Sequence, residues 1–465
     1  MKKLNRREFI KSAALVGSVM ILPSCATSRV RGANERLQVA IIGCGGQGRA
    51  SIHSLLNSKH AEIVALCDVD DNWVKRSYSN KGDKEAYLDK LVKATRHKDY
   101  RVMLDKMDKQ IDGVCVCTPD FSHYPIASWA IAKKKHVFCE KPLTRTIWES
   151  RELRRLAKEA GVYTQMGNQV HTNDAWRTIR EWFDAGIMGE VEDVYAWTDR
   201  DFGFDTHPAP TTPVPSTLDY NLWLNVAPYQ PYSKGIVPFA WRGLRIFGTG
   251  SAGDMGCHFL DNPYSAFNLG APFKVVADAL PAKSFSWPKA SSIDMYFKNK
   301  YGKDGVVKIH WYDGLRRPKE IKRISDKELN APNARNCIYI VGTKHTMTFD
   351  YTGFGVRLCD REAFIDLKKS GKIPPKTIKR NDYPFNPQAD WAEACVQGRM
   401  PESNFEYAAP FSEIVLMNTL ASINPGIELE YDAKTMTFKN CPEATKCTRS
   451  LYEYRKEFLP SAVNL

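Results

Sequence analysis

Three glycines at the end of one apolar segment constrain the fold of this chain more than any other feature. The segment LQVAIIGCGGQGRASIHSLL begins at position 37 and places Gly43, Gly45 and Gly48 where a strand would give way to a helix. The first glycine permits a tight turn, the second lets the backbone approach a pyrophosphate, and the third lets helix and strand pack closely. Phosphate also binds favourably at the N-terminus of such a helix. The predicted phosphate-binding turn comprises Gly43, Gly45, Gly46, Gln47 and Gly48.

A carboxylate ends the second apolar segment. AEIVALCDVD reaches Asp68, 20 residues beyond Gly48, where an acidic side chain should accept hydrogen bonds from an adenosine ribose. A 2′-phosphate would meet that negative charge unfavourably, so the sequence predicts NAD as the cofactor and makes NADP less favourable. The alternative role for Asp68 is to cap the next helix.

The same alternation of strand and helix continues through IDGVCVCTP and KHVFCEKPL. Such alternation predicts a parallel sheet with right-handed crossovers, in which the ligand lies beyond the carboxyl ends of the strands. Thr118, His123, Glu140 and Lys141 stand at those ends and are candidate cofactor-binding residues. His123 has an alternative role as a packing residue in the loop.

The first 25 residues predict export. Arg6 and Arg7 precede an apolar run at 13–22, which resembles a twin-arginine signal that is too short to span a bilayer permanently. Cys25 resembles the acylated residue of a lipoprotein, although Pro23 is atypical there, so a periplasmic and a membrane-anchored form both stay open. A free dinucleotide pool is not expected outside the cytoplasm, so the cofactor should be carried inside the folded protein.

Composition excludes several other classes of protein. With 43% hydrophobic and 26% charged residues among 465, the chain is typical of a globular protein. The formal net charge is +13, but the positive charge outside the export signal is scattered, so nucleic-acid binding is not expected. Neither C-x-x-C nor H-E-x-x-H spacing occurs, so no metal site is expected.

Several short motifs, taken in order, resemble the Gfo/Idh/MocA oxidoreductases, the relatives of glucose–fructose oxidoreductase and inositol dehydrogenase. They are the glycine-rich turn, Thr118-Pro119 with His123, Glu140-Lys141-Pro142, and Asp254, Gly256 and His258 in GSAGDMGCHFLD. The resemblance covers about residues 36 to 460. It implies an α/β protein with a signal and linker at 1–35 and a doubly wound Rossmann domain at 36–160. An α/β domain with a large, mostly antiparallel sheet would follow at 161–465, and a homo-oligomer is expected.

The resemblance also implies that Lys141, Asp254 and His258 are catalytic. Removal of hydride from a secondary alcohol requires a base for the hydroxyl proton, and Lys141 and His258 are both candidates. Asp254 and His258 are four residues apart, so on a helix they share one face. Asp254 would orient His258 or bind a sugar hydroxyl.

Substrate contacts are predicted in two places. Asn168 and His171 follow the next strand, in MGNQVH. The segment 199–245, rich in proline and aromatic residues, is interpreted as an aromatic flap over a sugar with Trp241 and Arg242 as contacts, or alternatively as an oligomer contact.

Three functions are compatible with these features. The first is an exported NAD-dependent oxidoreductase, with tightly bound NAD, acting on a secondary hydroxyl of a sugar, cyclitol or glycoside. The second is a redox-neutral NAD-dependent glycoside hydrolase or lyase, which would oxidise, eliminate, add water and reduce without an external electron acceptor. The third is a binder of sugar or nucleotide that has kept the fold without catalysis.

Overall fold

The computed structural model describes residues 36–77, 91, 93–331 and 334–461. The predicted export signal, including Arg6, Arg7 and Cys25, lies outside the described residues. Among the helices that are described, none combines the length and the apolar character needed to cross a membrane.

Six parallel strands form the first sheet, in the order β3-β2-β1-β4-β5-β6. The strands are β1 (Leu37–Ile42), β2 (Ala61–Cys67), β3 (Thr95–His97), β4 (Gly113–Val116), β5 (His136–Glu140) and β6 (Thr164–Gly167). The intervening helices are α1 (Gln47–Leu56), α2 (Asp71–Ser77), α3 (Tyr100–Lys106), α4 (Asp120–Ala132) and α5 (Ile147–Ala160). This strand order confirms the predicted Rossmann architecture, and its carboxyl edge carries the candidate site.

The parallel sheet extends past residue 160, where the sequence placed the end of the first domain. β6 pairs with β5 through residues 164–167. β6 is four residues long and its pairing partner is distant in sequence, so the local pattern did not separate this strand from the following domain.

The second sheet has nine strands in the order β13-β12-β11-β7-β10-β9-β8-β14-β15, and only the β7–β10 pair is parallel. Its strands are β7 (Val191–Thr198), β8 (Lys274–Ala279), β9 (Ser291–Lys298), β10 (Val306–Tyr312), β11 (Asn336–Gly342), β12 (Thr346–Phe349), β13 (Arg357–Leu358), β14 (Glu428–Asp432) and β15 (Thr437–Phe438). The predicted large, mostly antiparallel sheet is therefore confirmed.

Helices connect the two sheets. The remaining helices are α6 (Ala175–Asp184), α7 (Tyr220–Leu224), α8 (Gly250–Phe267), α9 (Asp326–Leu329), α10 (Arg361–Lys369), α11 (Pro387–Gln397), α12 (Phe405–Ser422) and α13 (Pro442–Lys446). α8 lies between the nine-stranded sheet and α12, and α12 in turn packs on α5 of the first sheet. α11 returns to the first sheet, where Trp391 is fully buried against Phe138 with ring centroids 5.9 Å apart.

Candidate active site

The glycine-rich turn has the geometry that the sequence predicted. Gly43 has φ +85°, and a Cβ there would lie 2.6 Å from the carbonyl oxygen of Cys117 at the end of β4. A Cβ on Gly48 would lie 1.8 Å from the carbonyl oxygen of Gly43. Both contacts exclude a side chain. The first turn of α1 therefore sits directly on the end of β1, with its N-terminus facing the cleft beyond the sheet.

Asp68 is hydrogen-bonded to this turn. Its Oδ2 accepts a hydrogen bond from the backbone N–H of Cys44 at 2.7 Å, and its Oδ1 accepts one from the N–H of Asp70 at 2.9 Å. Burial raises the pKa of Asp68 to about 6, against the lowering effect of these N–H donors. The Gly45 N–H also bonds this carboxylate, which leaves at least one lone pair to accept a ribose hydroxyl.

One cleft of about 430 Å³ runs along the carboxyl edge of the first sheet. Its walls come from the glycine turn, from the loops after β2, β3, β4 and β5, and from the segment 218–242. The predicted residues that line it are Gly43, Gly45, Gly46, Gln47, Asp68, Thr118, Glu140, Lys141, Trp241 and Arg242. Both halves of the chain therefore contribute to one site.

Lys141, which lines this cleft, forms a half-buried ion pair with Asp254. Lys141 Nζ donates to Asp254 Oδ1 at 2.8 Å and to the Asp254 carbonyl oxygen at 3.0 Å. Burial disfavours both charges, but the two groups stabilise each other, and Asp254 also has Arg242 at 3.5 Å. The pKa of Asp254 is accordingly held well below its usual range, and the pKa of Lys141 is raised. Lys141 is thus a charged ammonium at neutral pH.

His258 lies one turn after Asp254 on α8, as the spacing predicted. Burial, reinforced by the charge of Lys141, lowers the pKa of His258 to about 3. Its imidazole is therefore neutral at physiological pH and has a free lone pair with which to accept a proton.

Arg242 reaches Asp254 because the chain just before α8 passes close to it at Gly248. A Cβ on Gly248 would lie 2.4 Å from Arg242 Cα, so only glycine allows this approach. The guanidinium carbon lies 4.3 Å from the Trp241 ring centroid and 4.5 Å from that of Phe239. Trp241 is buried, whereas Phe239 is 53% exposed at the cleft. This arrangement supplies a cation and an aromatic face next to the ion pair.

Glu140 is buried beside Lys141, and the Lys141 backbone N–H and the Gln47 side chain are near enough to stabilise its charged form. Gly167 provides the space for it, since a Cβ there would lie 2.6 Å from Glu140 Oε2. Burial raises the pKa of Glu140 to about 7, which the neighbouring Lys141 opposes. Thr118 also faces the cleft and accepts a hydrogen bond from Ser122 at 2.8 Å.

His123, which the sequence placed among the cofactor-binding residues, is not among the described residues that line the cleft. Its Nδ1 lies 2.9 Å from the Pro142 carbonyl oxygen and its Nε2 lies 2.8 Å from the Thr118 carbonyl oxygen. The buried ring therefore joins the loops that follow β4 and β5 from behind the cleft. The alternative packing role is the one that the structure supports.

The structure places Asn168 and His171, the predicted substrate contacts, in the interior of the chain. Both are buried, and neither is among the described residues that line the cleft. His171 Nδ1 lies 3.1 Å from Asp261 Oδ1, and its ring packs on Tyr407 at 4.4 Å. The His171 side chain therefore lies between α8 and α12.

Two features of the site were not predicted. Asp120 opens α4 at the cleft and accepts a hydrogen bond from the Thr249 hydroxyl at 2.7 Å, joining the first sheet to the start of α8. Its position directly after Thr118-Pro119 was the available signal. The flap also extends to the adenosine side of the cleft, where Leu218 and Trp223 line it, and sequence spacing alone gave no signal of this contact.

The site fits a dinucleotide. A turn that excludes side chains at Gly43 and Gly48, a helix N-terminus facing the cleft, and the Asp68 carboxylate are the donors and acceptors that a pyrophosphate and a ribose require. The described residues contain no group of three or more side chains that could hold a metal ion. Fold and site together define a dinucleotide-binding α/β protein with a half-buried Lys141–Asp254 ion pair beside its cleft.

Comparison with known families agrees with this class. Residues 37–168 match the oxidoreductase family with an NAD-binding Rossmann fold, and residues 186–287 match the C-terminal alpha/beta domain of the same family. Together these matches cover just over half of the chain, which belongs to the Gfo/Idh/MocA oxidoreductase family.

Individual relatives match over shorter stretches. The chain is 30% identical over 172 residues to Glycosyl hydrolase family 109 protein 2 of Shewanella sp. (strain ANA-3), covering 32% of this chain and 36% of that protein. It is 29% identical over 131 residues to glucose-6-phosphate 3-dehydrogenase of Bacillus subtilis, covering 28% and 33%. The chain thus spans about a third of the length of these two relatives.

Among solved structures, aldose-aldose oxidoreductase from Caulobacter crescentus, complexed with glycerol, is similar with a TM-score of 0.55. The match covers 85% of this chain and 100% of that one at 17% identity. At this identity the likeness establishes the fold alone.

Proposed function

We propose that this protein is an NAD-dependent oxidoreductase that acts on a secondary hydroxyl of a sugar, cyclitol or glycoside. One observation carries the proposal: Lys141, which lines the cleft that begins at the glycine turn, forms a half-buried ion pair with Asp254, and neutral His258 lies one turn further along α8. The exposed ring of Phe239 and the nearby Arg242 suit a polyhydroxylated substrate, since sugars present both C–H faces and hydroxyls. The sugar-related names of the relatives point to the same substrate class.

Each side chain has a separate task in this scheme. NAD, when bound, supplies the acceptor for the hydride of the carbinol carbon. His258 Nε2 or Nδ1 takes the hydroxyl proton, which its neutral state permits. The Lys141 ammonium stabilises the developing alkoxide, and Asp254 keeps that ammonium charged and in place. This division of tasks favours His258 over Lys141 as the base.

The first experiment is to purify the protein without added nucleotide, denature it and assay the supernatant for NAD and NADP. The native protein is then screened against sugars, cyclitols and glycosides for reduced nicotinamide. We expect bound NAD and sugar-dependent reduction. A protein that neither carries nor binds a dinucleotide would overturn the proposal and favour a binder without catalysis.

The second candidate is redox-neutral cleavage of a glycoside, and the similarity to Glycosyl hydrolase family 109 proteins favours it specifically. Such a reaction needs a further group to remove the acidic C–H proton beside the transient ketone. Glu140, which is buried in the lining of the cleft and has a pKa of about 7, suits that task. No conventional pair of carboxylates is required under this scheme.

Aglycone release separates the two candidates. A chromogenic glycoside is incubated with the protein as purified, with no cofactor or electron acceptor added. Release over many turnovers would identify the redox-neutral reaction. Accumulation of reduced nicotinamide without aglycone would identify the net oxidoreductase.

Export is a further part of the proposal. The Arg6-Arg7 pair supports the twin-arginine route, and Cys25 supports a lipid anchor. Replacing both arginines by lysine should retain the protein in the cytoplasm, and Cys25→Ala should move it from the membrane fraction to the periplasm. If the arginine variant were still exported, Arg6-Arg7 would not be the export signal. If Cys25→Ala stayed in the membrane fraction, Cys25 would not carry a lipid anchor. A homo-oligomer is also proposed, and light scattering of the purified protein tests it.

A further inference from the structure

Residues 215–226 form a strap that is hydrogen-bonded to the loop following Asp68. The N–H of Asp219 donates to the Val69 carbonyl at 2.8 Å, and the N–H of Asp71 donates to the Thr217 carbonyl at 3.2 Å. Asp70 and Leu218 form an antiparallel bridge between these two bonds. The Asn72 side chain adds a bond to the Thr217 hydroxyl at 2.9 Å. A segment of the second domain thus pairs with the adenosine-side loop of the first domain.

The strap is also held on its other side. Trp223 is buried, with its ring centroid 5.5 Å from that of Phe121 and 5.0 Å from that of Phe247. Arg455 donates its backbone N–H to the Val226 carbonyl at 3.1 Å, and its guanidinium donates to Asn221 Oδ1 at 2.7 Å. These contacts do not involve the loop after β2, so they fix the strap independently of it.

The cleft-facing side chains of the strap lie in the same cavity as the cofactor-binding residues. Leu218, Leu222, Trp223 and Asn225 line the cleft together with Asp68, Asp70 and Tyr100. Any ribose held by Asp68 would therefore have the strap beside it. Apolar walls at this position exclude water from the adenosine half of a bound dinucleotide.

We propose that the strap is the second wall of the NAD site and that NAD leaves only when the strap separates from residues 69–72. This inference rests on the proposed function, because it takes NAD to be the ligand. It assigns the retention of the cofactor to an internal segment of the second domain. The chemical partners are the adenine and its ribose, bound between the strap and the β2 loop.

A pair of variants at Asp71 isolates one of the strap bonds. Asp71 is the first residue of α2, where proline is tolerated because that N–H has no partner within the helix. Asp71→Pro removes the N–H that reaches Thr217 and also the carboxylate that contacts Lys98 at 3.1 Å. Asp71→Ala removes only the carboxylate, so it is the matched control. Thr217→Val removes the hydroxyl that Asn72 contacts and tests a second bond.

The experiment measures the rate at which bound NAD is released, as its exchange with an excess of fluorescent etheno-NAD. This rate does not depend on turnover. We expect slow exchange in the unaltered protein and in Asp71→Ala. Exchange should be about tenfold faster in Asp71→Pro and about threefold faster in Thr217→Val, the size that loss of one hydrogen bond gives.

Equal exchange rates in Asp71→Pro and Asp71→Ala, with Thr217→Val unchanged, would overturn the assignment of the strap. Rapid exchange in the unaltered protein would also overturn it, whatever the activity. Slow, strap-dependent exchange without turnover of any sugar or glycoside would instead leave the strap in place and contradict the proposed function. The two proposals therefore fail under different results.

Discussion

Lys141 is ion-paired with Asp254. Substituting Lys141 therefore tests its role in turnover separately from cofactor binding. We expect Lys141→Ala to lower turnover about a hundredfold to a thousandfold, because the alkoxide loses its charged donor. Cofactor content should be unchanged, and Arg242 still neighbours the Asp254 carboxylate in the variant. Steady-state kinetics and nucleotide assay of the same preparation give both values.

Lys133→Ala is the control for that variant. Lys133 is an ion-paired lysine on the same domain, 2.8 Å from Asp105, and it is not among the described residues that line the cleft. Its loss should leave turnover unchanged. If Lys141→Ala retained the activity of this control, Lys141 would not belong to the reaction centre.

The raised pKa of Asp68 predicts a pH dependence of cofactor binding. Its folded-state pKa of about 6 lies above the ordinary value, so the carboxylate is charged above pH 6 and becomes protonated as the pH falls through 6. Protonation removes a charged acceptor from the ribose, and NAD affinity should decline below pH 6. Titration calorimetry on stripped protein at several pH values measures this. Asp68→Asn should bind NAD more weakly, with this particular pH dependence absent.

The packing of α1 on the end of β1 leads to a prediction about two glycines. In Gly48→Ala, the new Cβ would clash with the Gly43 carbonyl, and we expect a loss of about 3 kcal/mol in the free energy of unfolding together with weaker NAD binding. In Gly46→Ala, nothing lies within 4 Å of the new Cβ, so only the cost of φ +49° applies, about 1 kcal/mol. Chemical denaturation compares the two variants, and equal losses would contradict the packing argument.

Elements fixed by local pattern were predicted well from the sequence. The β1–turn–α1 unit, the strand ends at Asp68, Thr118 and Glu140, and the shared helix face of Asp254 and His258 all follow from spacing over a few residues. The position of each of these residues is set by the turn, strand end or helix in which it occurs.

Features that depend on contacts distant in sequence were not predicted. His171 faces inward because Asp261 and Tyr407 lie there, and the strap meets the β2 loop through residues about 150 positions apart. The sequence around each of these residues gives no indication of its distant partner. The same reason explains why the first sheet continues beyond residue 160 and why α11 packs on it.

At the scale of the whole molecule, the cleft joins the two halves of the chain, so NAD should stabilise the entire fold. At a concentration one hundred times its Kd, NAD should add about 2.7 kcal/mol to the free energy of unfolding of stripped protein. NADP at the same concentration should add less, because Asp68 repels a 2′-phosphate. Thermal unfolding with each nucleotide measures the difference. Equal stabilisation by both would place Asp68 away from the ribose.

The return of α11 to the first sheet has a consequence for synthesis. A Cβ on Gly113 would lie 3.0 Å from the Trp391 ring, so β4 is shaped around a side chain that the ribosome delivers almost 280 residues later. Trp391, Ala392 and Cys395 complete the apolar layer over β1, β2, β4 and β5. Until they emerge, the nascent first sheet carries an uncovered apolar face. The nascent chain must therefore be kept from aggregating through most of its translation, and the mature fold closes only when nearly all of the protein has been made.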